Sequence, residues 1–158
     1  MPKTEYVIEP GSQQLTSTTM IDAPRELVFK AYTDPKLFAQ WWGPRGYENN
    51  ILKFDCRPGG EWHVIQRTPD GAEYGFRGVT HDVVAPERIC QTFEFLGVPG
   101  HVALQTATFE AVGNKTRIEA QIVFQSVMDR DGMVASGMRR GADESMERLA
   151  ELLDGLKA

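Results

Sequence analysis

The stretch IDAPRELVFKAYTDPKLFAQWWGP, residues 21–44, decides how the chain begins. Asp22 stands ahead of Ala23-Pro24-Arg25-Glu26. Aspartate suits a helix N-cap and proline is tolerated in a first helical turn, so a helix is predicted to start here. Leu27, Val28 and Ala31 fall on one face of it. Asp34-Pro35 restarts the chain as a second short helix over 35–41, which Gly43-Pro44 must end because neither residue continues a helix. Before this stretch, residues 15–22 are rich in β-branched types and read as a strand. The opening is therefore strand, helix, helix.

Downstream lies a run of strands, predicted at 50–55, 60–67, 73–84, 87–96, 102–112 and 116–125. Turn-forming residues separate them: Pro58-Gly59-Gly60, Pro69-Asp70-Gly71, Ala85-Pro86-Glu87, Val98-Pro99-Gly100 and Gly113-Asn114. Such short connections imply antiparallel neighbours. Ile118, Ala120, Ile122 and Phe124 alternate with Arg117, Glu119 and Gln121, the pattern of a sheet with one buried and one wet face. The end of the chain, about 130–156, carries Val134, Met138, Ala142, Leu149 and Leu153 at helical spacing and predicts one long amphipathic helix. The buried face of the sheet needs a cover. An α+β fold follows, a curved antiparallel sheet of about six or seven strands around that helix, with the two short helices closing the open side. Residues 1–14 are polar and read as an extended N-terminal arm ahead of a single domain at 15–158.

Composition bounds the function. The 158 residues suit one domain, and a net charge of −5 without a Lys/Arg run argues against a nucleic-acid partner. No stretch of 18 apolar residues predicts a membrane span, and the first twelve residues lack the apolar core of a signal peptide, so the chain is expected to be cytoplasmic. Cys56 and Cys90 form no CxxC motif and read as two reduced thiols. His63, His81 and His101 fall at no metal-ligand spacing. Neither GxSxG nor a P-loop nor GxGxxG occurs. No metal, cofactor or catalytic residue is nominated.

An ordered set of short motifs resembles the START-like, helix-grip superfamily. The match is with the branch named after the heat-shock-protein-90 ATPase activator. Its marks here are Ala23-Pro24, Asp34-Pro35, Trp41-Trp42, Gly59-Gly60-Glu61-Trp62, Gly78, Pro86-Glu87-Arg88 and Gly137-Met138, spread over residues 15–156. The resemblance implies a helix-grip fold and a superfamily of lipid carriers, hormone receptors, cyclases and self-sacrificing resistance proteins. The branch name implies stimulation of a chaperone, for which the eukaryotic activator also needs an N-terminal module; 158 residues are expected to leave no room for it.

The alternation of the strands nominates inward positions for a pocket: Trp62, Val64 and Gln66, then Tyr74 and Phe76, then Gln91 and Phe93. The last helix contributes Val134, Gly137, Met138 and Gly141, whose small members would leave space beside the sheet. Trp41 and Trp42 are expected to divide their work, one stapling the short helices and one gating a cavity mouth. Two readings of these aromatics stay open, a filled core and a cavity lining. Three functions follow: a carrier or sensor of a small apolar or amphipathic molecule, an interaction module related to chaperone activators, and a cyclase- or hydrolase-like enzyme in the same cavity. The first is favoured by the small residues and the aromatic inner face. The arm and any exposed edge strand offer a route to a homodimer.

Overall fold

The computed structural model describes residues 1–157. The elements run β1 (Thr4–Val7), β2 (Gln14–Ile21), α1 (Arg25–Thr33), α2 (Pro35–Trp41), β3 (Glu48–Phe54), β4 (Glu61–Arg67), β5 (Glu73–Val84), β6 (Arg88–Phe95), β7 (Val102–Val112), β8 (Lys115–Val123), α3 (Val127–Ala135) and α4 (Met138–Lys157). The eight strands form one sheet in the order β1-β2-β8-β7-β6-β5-β4-β3, antiparallel throughout. β3 to β8 meander through short turns, and β2 returns to pair with the last strand, Ile21 opposite Thr116. This is the α+β helix-grip arrangement expected from the sequence.

The structure adds one strand. Thr4–Val7 pairs with β2, and the Tyr6 hydroxyl donates to Asp143 Oδ1 at 2.8 Å, which ties this segment to α4. The opening follows the sequence closely, but its first cap differs. Asp22 does not cap α1; Pro24 holds that position with no side-chain bond, while Asp34 accepts from the Lys36 N–H and caps α2.

The single long helix expected over 130–156 is two helices. Ser126 caps α3, and Gly137 at φ +88° separates it from α4. Glycine adopts this left-handed backbone without the clash that a Cβ brings. The break lets the two helices cover different parts of the sheet. Met133, Val134 and Met138 pack on Leu15, Ala103 and Phe124, whereas Leu149 and Leu153 join the main core with Ile21, Val28, Phe109 and Ile118.

The α2–β3 connection, residues 42–47, is anchored to α4 by Arg148. Its guanidinium donates to the carbonyls of Gln40, Trp42, Gly43, Pro44 and Tyr47 at 2.9–3.4 Å. These carbonyls lie at and beyond the C-terminal end of α2, where helical partners run out. The Gly43 N–H donates to Ser145 Oγ at 2.8 Å, and the Arg45 N–H to Glu144 Oε1 at 2.9 Å. Gly43 has φ +96°, and a Cβ there would stand 2.3 Å from the Gln66 amide nitrogen. Replacing the guanidinium leaves several carbonyls unpaired together. Arg148→Met is therefore expected to lower folding stability by about 2–3 kcal/mol, read as a shift of the urea midpoint.

Candidate functional site

Three layers of side chains enclose a cavity of about 140 Å³ between the inner face of the sheet and the pair α1–α2. The floor is set by register. Ile89, Ala107 and Ala120 stand opposite one another on β6, β7 and β8, and Ser17 continues the row on β2. Two alanines in the middle of a sheet leave the volume that larger side chains would take. A second row on the same face runs Thr80, Gln91, Gln105 and Ile122. Thr80 is the last β5 residue in this register before a shift between Thr80 and Asp82.

The roof comes from Tyr32 of α1 and from Phe38, Trp41 and Trp42 around α2. Trp41 is buried, and its indole N–H donates to the Ala31 carbonyl at 2.9 Å, which fixes α2 against α1. Tyr32 packs on Trp41 at 4.7 Å and on Phe109 at 4.9 Å between ring centroids. Trp42 meets Trp62 edge-on at 6.2 Å and Phe76 at 5.1 Å. Phe93 lies 6.0 Å from Trp62, completing an aromatic wall. All three tryptophans of the chain line the cavity. The rim is Phe54, Asp55 and Cys56.

Ionisable groups are sparse here. Burial alone raises the Tyr32 phenol well above its ordinary range. Burial, with the neighbouring Asp55 charge, raises the Cys56 thiol. Both groups are neutral near pH 7, and a thiol raised in this way is a poor nucleophile. The Asp55 carboxylate is tied to Arg57 Nε at 2.9 Å. Among the described residues no Lys, Arg or His lines the cavity. Among the described residues no three of His, Cys, Asp or Glu converge as they would around a metal ion.

Of the residues singled out from the sequence, the structure brings Trp41, Trp62, Gln91 and Phe93 together at this cavity. The others lie elsewhere. Val64 is fully buried in the main core. Gln66 donates to Asn49 Oδ1 at 3.1 Å beneath Gly43, so its amide secures the loop. Tyr74, near the β4–β5 turn, is 41% exposed. Phe76 stands behind the wall against Trp42, Phe93 and Phe95. Val134 and Met138 pack in the second core cluster, Gly137 has open space around it, and a Cβ on Gly141 would meet Pro44 at 3.5 Å. The space expected beside the last helix is thus not where this cavity lies: the short helices roof it. The expected division between the tryptophans takes a specific form, since Trp41 staples α1 to α2 and both rings border the cavity.

Sequence reasoning missed Tyr32, Thr80, Gln105 and Ala107. The signal was partly present. Ala120 falls between Ile118 and Ile122 in the inward set, a small residue where its neighbours are large. The Arg139–Arg140 pair lies outside the cavity; both are exposed, and Arg140 pairs with Glu144 at 3.0 Å on the solvated face of α4.

The model for the family described as activator of Hsp90 ATPase homolog 1-like protein matches residues 22–154. A solution structure of a protein from Arthrobacter aurescens is similar over 96% of this chain and 91% of that one, with TM-score 0.88 and 22% identity. A crystal structure of a protein from Rhodobacter sphaeroides is similar over 96% and 99%, with TM-score 0.86 and 24% identity. One from Mycobacterium smegmatis is similar over 94% and 95%, with TM-score 0.86 and 22% identity. At these identities the likeness carries the fold. No curated protein matches the chain.

The empty row on the floor has a consequence for stability. Ala107→Val adds two methyl groups where there is room and is expected to leave the melting temperature unchanged or raised. Ala103→Val, on the same strand and face but packed in the second cluster, is expected to cost about 1–3 kcal/mol. Thermal unfolding of the two variants side by side checks this.

Proposed function

We propose that this chain, which belongs to the activator of Hsp90 ATPase homolog 1-like family, is a carrier or sensor whose internal cavity holds a small, largely apolar molecule. The observation that carries the reading is the floor of the cavity. Ala107 and Ala120 face an aromatic roof across about 140 Å³ that neither side fills. Protein interiors are close-packed, and an unfilled apolar volume forgoes dispersion contacts that a guest restores. A volume of this order accommodates a benzene-sized molecule. The lining is mostly aromatic and aliphatic with a few polar side chains, the usual composition of a small-molecule site.

The other readings have less support. An interaction module needs no internal space, so the cavity favours a binding role over one in which the core is merely scaffold. Acid–base catalysis needs titratable groups poised near working pH inside the site. Here Tyr32 and Cys56 are pushed the other way, and Asp55 is engaged by Arg57 at the rim.

Native mass spectrometry of the purified protein, beside its denatured mass, tests the proposal. A small-molecule adduct present in the native spectrum and absent from the denatured one is expected. Ala107→Leu, which extends a side chain into the space, is expected to lose the adduct while remaining folded. An unadorned native mass, with no thermal shift across a set of small aromatic compounds, would contradict the reading.

A further inference from the structure

We propose that the cavity selects a neutral, single-ring aromatic molecule bearing one hydrogen-bonding hydroxyl or carbonyl group, anchored by the side-chain amides of Gln91 and Gln105 on the floor. The proposal rests on the binding reading above and adds the chemistry of the guest.

Three observations carry it. The first is the polar row. Thr80, Gln91 and Gln105 are register neighbours on β5, β6 and β7, and all three line the cavity. Residues directly opposite in an antiparallel pair have Cβ atoms about 4.5–5.5 Å apart, so the two amides work as one cluster. Polar groups nearby are already engaged: the Trp62 indole donates to the Thr92 carbonyl at 3.1 Å, and the Thr106 hydroxyl to Cys90 Sγ at 3.7 Å. The side chains of Gln91 and Gln105 are half-buried and border the open space. An amide facing such a space offers a guest both donors and an acceptor. Tyr32 lines the same space from the roof, and burial keeps its phenol protonated.

The second observation is charge. With no Lys, Arg or His among the described lining residues and Asp55 held by Arg57, an anion entering the cavity would meet no counter-charge. Burying an unpaired charge is costly enough to exclude carboxylates such as fatty acids. The third is size. A drug-sized ligand or an acyl chain fills roughly 300 Å³ or more, whereas this space is about 140 Å³. The row of alanines and the flanking Trp62 and Phe93 rings suit a flat ring whose one polar substituent points toward the glutamines.

Isothermal titration calorimetry with toluene, p-cresol and p-toluate separates the possibilities. These probes share one ring and one methyl group and differ in the polar substituent. The wild-type protein is expected to bind p-cresol about fivefold to tenfold more tightly than toluene, the worth of one or two net hydrogen bonds to neutral groups, and to show no heat of binding with p-toluate. Gln91→Leu is expected to erase the advantage of p-cresol while keeping or improving toluene binding; Gln91→Met, with its unbranched side chain, serves if the leucine variant fails to fold. Toluene binding as tightly as p-cresol, or p-toluate binding at all comparably, would overturn the ligand class while leaving the cavity as a binding site. Absence of binding by all three would overturn both this inference and the reading beneath it.

Discussion

The guanidinium of Arg148, set among the carbonyls that trail from α2, is the contact on which the geometry of the cavity depends. A helix C-terminus leaves its last carbonyls without helical partners, and a charged donor with a fixed fork is well suited to gather several of them. Burial lowers the affinity of Arg148 for its proton, yet a guanidinium stays charged in a protein, so the bonds persist across the accessible pH range. Through these bonds α4 holds the 42–47 connection, and that connection holds Trp42 at the cavity wall. The Trp41 bond to Ala31 then fixes the remainder of the roof. The long helix therefore shapes the cavity at one remove: it anchors the roof and borders none of the space itself.

The sheet contributes the complementary half. A strand pair brings side chains of one face together row by row, so small residues in register make a contiguous space, whereas small residues scattered over a face do not. Ala107 opposite Ala120 is such a pair, and the glutamine pair lies in the next inward row. The same register that makes the space thus sets two amides at its border. The outer face behaves differently. There Arg77 and Glu94 pair across β5 and β6 at 2.9 Å, and the Gly100 N–H donates to the same carboxylate. That N–H and the guanidinium hold Glu94 below the usual carboxylate range. On the outer face these two charges are matched with each other, while the inner row presents two amides to the cavity.

Much of the fold was legible because its signals are local. Turn residues at Pro58-Gly59-Gly60, Pro69-Asp70-Gly71 and Gly113-Asn114 bounded the strands, and alternation identified the inward faces that place Trp62, Gln91 and Phe93 at the cavity. What escaped is non-local or subtle. The first strand is short and polar and forms by pairing Thr4 with Thr19, a contact no local pattern announces. Gly137 breaks a segment whose apolar spacing is helical on both sides, so periodicity ran through it. Gln66 and Tyr74 obey the same alternation as Trp62 but lie toward the far end of the β4–β5 hairpin, outside the space under the roof. Thr80 continues the alternation of Tyr74 and Phe76 but is a polar residue beyond the expected inward set, and Tyr32 was hidden by the docking of α1, which sequence periodicity does not orient.

The central claim is that this internal space, and no other surface of the chain, receives the guest. The chain's three tryptophans all border it, so the three indole N–H signals in a nitrogen–proton correlation spectrum report on it directly. Titrating the labelled protein with p-cresol is predicted to move those three signals together with the backbone amides of Gln91, Gln105, Ala107 and Ala120, leaving the Arg77 and Glu94 amides of the outer face in place. Stationary indole signals, with shifts confined to the outer face or spread evenly over the chain, would contradict the account.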